Sequence, residues 1–166
     1  MKKIIIGIFL IGLTSQLFAQ EIKLPEVIIT AVNYKYLNAV DTEDTDISVK
    51  ALEEKAALYN IKLTDMYDDE YDTYTVSFYI PSGSIVAAYD KDGKILRTIE
   101  KFKNAKLPDN VRTAVLKRFP NWTFAKDVYH VSYDSEENEV KKMYKIKLTN
   151  GDEVVRVKTD ENGNFL

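Results

Sequence analysis

His130 is the only histidine in the chain, and cysteine is absent. Nucleophilic triads need an imidazole held by a third group, and zinc sites need several nitrogen or sulfur ligands. These two counts remove thiol catalysis and multi-histidine metal centres, leaving one imidazole as a base. The alternation Tyr129-His130-Val131 puts that imidazole on the open side of a strand, where an exposed strand histidine is the plainer account. No G-x-x-x-x-G-K-[ST] or G-x-G-x-x-G run is present to cradle phosphates. Carboxylates are more plentiful. Asp65, Asp68, Asp69, Glu70 and Asp72 form an acidic cluster, and Asp90-Lys91-Asp92-Gly93 and Asp160-Glu161-Asn162-Gly163 resemble the start of a calcium loop. An EF-hand spreads its oxygens over about twelve residues and closes on a bidentate Glu. Here Gly arrives at the fourth position and a strand pattern resumes, so a turn capped by Asp is the simpler reading. Calcium on Asp68, Asp69, Asp90, Asp92 and Asp160 stays as the alternative to an expectation of no cofactor. A carboxylate hydrolase needs two acids across a cleft, and no spacing here selects such a pair, so the expectation is a protein that is not an enzyme.

The elements that position these residues are organised by a repeat. Residues 59–96 lie without gaps on residues 129–166 at an offset of 70. Tyr59 meets Tyr129, Tyr74 meets Tyr144, Asp90 meets Asp160, Gly93 meets Gly163 and Leu96 meets Leu166, with apolar positions matched between them. Internal repetition fixes architecture before any motif does. It predicts that the two stretches form the same three-strand meander, each copy opening with a helix. In the second copy Leu107, Val111, Ala114, Val115, Arg118 and Phe119 follow helical spacing, with Pro108 in the first turn and Pro120 ending the run. In the first, Ser48 is the expected N-cap and Val49, Leu52 and Ala56 form the apolar stripe. Tyr74, Val76, Phe78 and Ile80 alternate with polar neighbours, as do Tyr144, Ile146 and Leu148. Pro81-Ser82-Gly83 and Asn150-Gly151-Asp152 are tight-turn sequences. The expected fold is α+β: two tandem α-β-β-β units, residues 48–104 and 105–166, with helices on one face of an antiparallel sheet and water on the other.

Before the units, Lys2 and Lys3 precede an apolar stretch from Ile4 to Leu13, and Ala19 precedes Gln20. This is the pattern of a signal peptide over residues 1–19, too short for a permanent membrane span. The expected product, cleaved near Ala19-Gln20, is periplasmic or secreted, with no membrane span afterwards. Residues 21–37 are rich in β-branched and aromatic residues and read as one or two strands. Residues 38–48 read as an acidic, solvated linker. The formal charge of −3 falls further once Lys2 and Lys3 are removed, which argues against nucleic acid as a partner.

The motifs of the second half carry a family resemblance. Leu107-Pro108, Phe119-Pro120-Asn121-Trp122, the strand Tyr144, Ile146, Leu148, the turn Asn150-Gly151 and the closing Asp160 and Gly163 resemble the β-lactamase-inhibitor-like, PepSY-like family of exported bacterial proteins. Residues 48–96 share only the strands. The resemblance implies a tandem α+β fold whose curved sheet grips a partner protein on its open face, and it implies no catalytic residues.

The open face is thus the expected functional surface. By alternation it carries Tyr71, Thr73, Thr75, Ser77 and Tyr79 in the first unit, and Met143, Lys145, Lys147, Arg156 and Lys158 in the second. Tyr71, Tyr79, Lys145, Lys147, Arg156 and Lys158 are the candidate partner-binding residues, since Tyr and Arg concentrate in binding hot spots. The expected function is a protein-binding module, an inhibitor of a peptidase or other enzyme being one form of it. The alternative is a small-ligand or calcium carrier that uses the acidic connections.

Overall fold

The computed structural model describes residues 33–42 and 44–166. The expected signal peptide, its cleavage site and most of the expected N-terminal strands lie outside the described residues. Helices α1 (Tyr34–Val40) and α2 (Ile47–Ala57) come first, then a single 3-10 turn (Ile61–Leu63). Strands β1 (Thr73–Ile80), β2 (Gly83–Asp90) and β3 (Ile95–Lys103) follow, then α3 (Asp109–Arg118) and strands β4 (Thr123–Asp134), β5 (Glu139–Asn150) and β6 (Glu153–Asp160). The six strands form one sheet in the order β1-β2-β3-β4-β5-β6, antiparallel throughout. The fold is α+β, and its core is one cluster between the helices and a single face of the sheet.

Alternation builds that face. Phe78, Ile85, Ala87, Tyr89, Phe102, Tyr129, Val131, Tyr144, Ile146 and Leu148 are buried, and Val49, Leu52, Ala56, Val111 and Val115 from α2 and α3 close over them. Gly83 is required by packing: a Cβ there would stand 2.3 Å from Phe102 Cδ1 and 2.6 Å from the Lys101 carbonyl oxygen.

Several expectations are corrected. Residues 34–40, expected as strand and linker, are helical because Tyr36 and Val40, four residues apart, share one buried helix face. So short a helix stands on tertiary contacts: the buried Asn33 side chain donates to the Ala57 and Gly93 carbonyls, both at 3.0 Å, and accepts from the Ile95 amide at 2.7 Å. Asp46, rather than Ser48, caps α2. Its carboxylate accepts from the Ser48 amide at 2.8 Å and hydroxyl at 2.7 Å, and the hydroxyl bond leads in holding its pKa down. Pro108 occupies the N-cap position of α3, one residue earlier than expected.

At the offset of 70 one hairpin and one pairing coincide, and the rest differs. The β1-β2 hairpin corresponds at the offset of 70 to β5-β6, and the Tyr89–Ile95 pairing to a bridge between Thr159 and Phe165. Residues 59–65, expected as a strand like 129–134, contain the 3-10 turn instead. Ile61 is as buried as its counterpart Val131, so the apolar pattern survives while the backbone differs. The three strands of the first unit are therefore β1, β2 and β3, and β4 has no strand counterpart at that offset.

Candidate functional site

The uncovered face of the sheet has two halves. On β1 to β3, Val86 and Ile99 are opposite one another, and Tyr79 lies diagonally across from Val86, since Ser77 is the residue directly opposite it. Tyr79 is 72% exposed and Ile99 68%. On β4 to β6 the face is basic: Lys145 has Val128 on one side and Lys158 on the other, and Lys147 stands between Lys126 and Arg156. These residues line a cleft of about 310 Å3. His130 joins the halves, paired with Lys101 on β3 and Met143 on β5. Its pKa is lowered by partial burial and then by the cations of Lys145 and Lys101, so the imidazole is held neutral beside the basic half.

Of the candidate partner-binding residues, Tyr79, Lys145, Lys147, Arg156 and Lys158 share this face. Tyr71 does not: it precedes β1, and its ring meets the ring of helix-side Tyr74 edge-on at 6.4 Å. Lys126 was missed for a physical reason. A bulge skips Ala125, so Phe124 pairs with buried Leu148 while Lys126 pairs with Lys147 on the opposite face. Strict alternation would put Phe124 and Lys126 on the same side. The exposure of Ile99 follows from a second irregularity, between Ala88 and Tyr89, after which buried Ile95 and open-face Arg97 are both paired across β2 and β3.

The acidic candidates are divided among separate connections. Asp90 Oδ1 accepts from the amides of Asp92 and Lys94, both at 2.9 Å, and Gly93 takes φ 82°. Asp160 Oδ1 accepts from the amides of Asn162 at 2.9 Å and Asn164 at 2.8 Å, and Gly163 takes φ 84°. Such Asp-capped turns use the carboxylates on their own backbone, and these bonds hold the Asp160 pKa down, the Asn164 side chain contributing most. Asp92 also pairs with Lys62 at 3.1 Å. Asp68 Oδ1 accepts from the Glu70 amide at 3.0 Å, and Asp69 lies in the same connection before β1. Among the described residues no three acidic or histidine side chains gather where they could hold a metal ion.

A buried polar cluster lies on the opposite face, under α1 and α2. Glu53 from α2 and Glu100 from β3 are 1% and 0% exposed, and each carboxyl shifts the other's titration. Glu100 Oε1 accepts from the hydroxyls of Tyr36 at 2.8 Å and Thr98 at 2.7 Å. Glu53 Oε1 and Glu100 Oε2 are buried with no hydrogen-bond partner. The nearest cation is Lys142 on β5, buried and 3.6 Å from Glu161. Burial and the neighbouring Glu100 push the Glu53 pKa up to about 8, and burial raises that of Glu100. Burial thus disfavours the anions of both carboxyls. Helical spacing puts Glu53 beside Leu52 and Ala56, but nothing in that spacing supplies a partner for it.

No family model matches the chain, and no curated protein does. Among solved structures the chain is similar to the crystal structure of a BLIP-like protein from Bacteroides fragilis, at 18% identity and a TM-score of 0.33. The likeness covers 58% of this chain and 66% of that one, just under two-thirds of its length. At that score the architecture rests on the strand order and register described above. Among the described residues no helix is long and apolar enough to cross a membrane.

Proposed function

We propose that this is a non-enzymatic protein-binding module that docks a partner on the open face of its sheet. The observation that carries the reading is the composition of that face. Exposed Tyr79, Val86 and Ile99 on β1 to β3 and a basic strip of Lys126, Lys145, Lys147, Arg156 and Lys158 on β4 to β6 share one face, with the Lys101–His130–Met143 row between them, on a sheet whose other face packs against the core. Exposed aromatic side chains and Arg are the usual material of binding hot spots, and large exposed apolar residues grouped together on a rigid sheet mark an interaction surface. Export to the periplasm or beyond, and the inhibitory role implied by the family resemblance, belong to the same proposal.

The test is site-specific photo-crosslinking in cells that express the chain. A crosslinker at Tyr79 or Arg156 should capture a defined protein, and one at Lys55 on the helix side should not. Capture from Lys55 alone would refute the open-face assignment.

A further inference from the structure

The basic half of the open face carries information about what it holds, an inference that rests on the open-face reading. Lys145 is directly opposite Lys158, and Lys147 is flanked by Lys126 and Arg156. Like charges opposed on neighbouring strands destabilise a sheet. Among the described residues none of these five cations has a carboxylate within ion-pair distance. Elsewhere on the same face the fold does supply carboxylates: Arg97 meets Asp134 at 2.9 Å, and Lys141 meets Glu139 at 2.7 Å. Asp127, which also borders the cleft, pairs with core residue Ile146 and so belongs to the helix side by register. The strip is left uncompensated around a cleft that Val128 also lines.

The rim sets the size of the occupant. Asp160 ends the neighbouring row beside Met143, and Asp152 and Glu153 stand at the β5-β6 turn. Followed along β5 and β6, a long polyanion such as a nucleic acid or polysaccharide would run off the patch onto carboxylates, whereas a short one would not. Alternate residues along β5 and β6 are spaced about 6.8 Å apart, and alternate side chains of any other extended polypeptide share that period. We propose that this cleft receives a short, extended acidic segment of a partner protein, with carboxylates at alternate positions over Lys145/Lys158 and Lys147/Arg156.

The experiment is an NMR titration of the chain from Gln20 onward with the peptide Glu-Val-Glu-Val-Glu, its Lys-for-Glu counterpart, an oligothymidylate and a heparin oligosaccharide. The acidic peptide should shift the amides of Lys145, Lys147, Arg156 and Lys158, and the Lys peptide should leave them in place. K147E/R156E should weaken binding by roughly tenfold or more, and about 0.5 M salt should weaken it as well. K145Q/K158Q, which removes charge without reversing it, gives the same reading if the first variant does not fold. Peptide binding indifferent to both variants, or tighter binding of the oligothymidylate or heparin fragment, overturns the inference. So does salt-sensitive self-association through this strip, which would assign the cleft to a second copy. An unresponsive titration alongside crosslinking at Tyr79 but not at Arg156 overturns the acidic segment while the open-face reading stands. Absence of crosslinks at both positions overturns the two together.

Discussion

Replacing Glu53 by Gln should flatten the pH dependence of stability. In the folded chain Glu53 titrates near 8, against an ordinary 4.5, because burial and the facing Glu100 both disfavour its anion. A carboxyl whose folded pKa is raised contributes stability that is complete below about 4.5 and is lost as pH climbs through about 8. At about 1.36 kcal/mol per pH unit the interval amounts to as much as about 5 kcal/mol. Coupling to Glu100 and the buried Lys142 nearby make about 3 kcal/mol the working expectation for this residue. In urea unfolding followed by Trp122 fluorescence, the wild type should lose that amount between pH 5 and pH 9. E53Q keeps the shape and a donor towards Glu100 but cannot ionise. It should match or slightly trail the wild type at pH 5 and exceed it by about 2–3 kcal/mol at pH 9. Parallel curves within about 0.5 kcal/mol at every pH, or a destabilised E53Q at pH 9, would refute a Glu53 carboxyl kept neutral by burial.

Lys142→Met removes the nearest cation from the same pair, so it should cost about 2–3 kcal/mol at pH 8 and much less at pH 5, read by the same urea curves. Asn33→Ala strands two carbonyls and the Ile95 amide and should cost about 2–4 kcal/mol, visible as a fall in Tm and as faster amide exchange in α1. Joint replacement of Tyr79, Lys147 and Arg156 by Ser should stay within about 0.5 kcal/mol per site, because these side chains are on the open face. Ile146→Ser, in the core, should cost about 3 kcal/mol or more by chemical denaturation. Millimolar calcium should leave Tm unchanged, since Asp90 and Asp160 already cap their own turns. A rise that disappears in Asp68→Ala or Asp90→Ala would revive the carrier alternative.

What the sequence determined by itself are the features that local chemistry dictates. Period-two alternation assigned Tyr74, Phe78, Tyr144, Ile146 and Leu148 to the buried face. The Asp-x-x-Gly spacing produced the two capped turns, and helical spacing set the apolar stripes of α2 and α3. Each depends on neighbours within a few residues, so each can be read from one stretch of chain. Tertiary structure decided the rest. Helix α1 is only seven residues long and stands because Tyr36, Val40 and Asn33 find partners in α2, the β2-β3 turn and β3. The 3-10 turn replaced a strand the repeat had implied, since a matching apolar pattern fixes which side chains are buried and leaves the backbone path open. The bulge at Ala125 moved Lys126 onto the open face, and only the register of β4 against β5 contains that shift. The juxtaposition of Glu53 with Glu100, and of Lys147 with Lys126 and Arg156, joins residues distant in sequence. Charge interaction depends on separation in space, and the order of residues along the chain does not hold that distance.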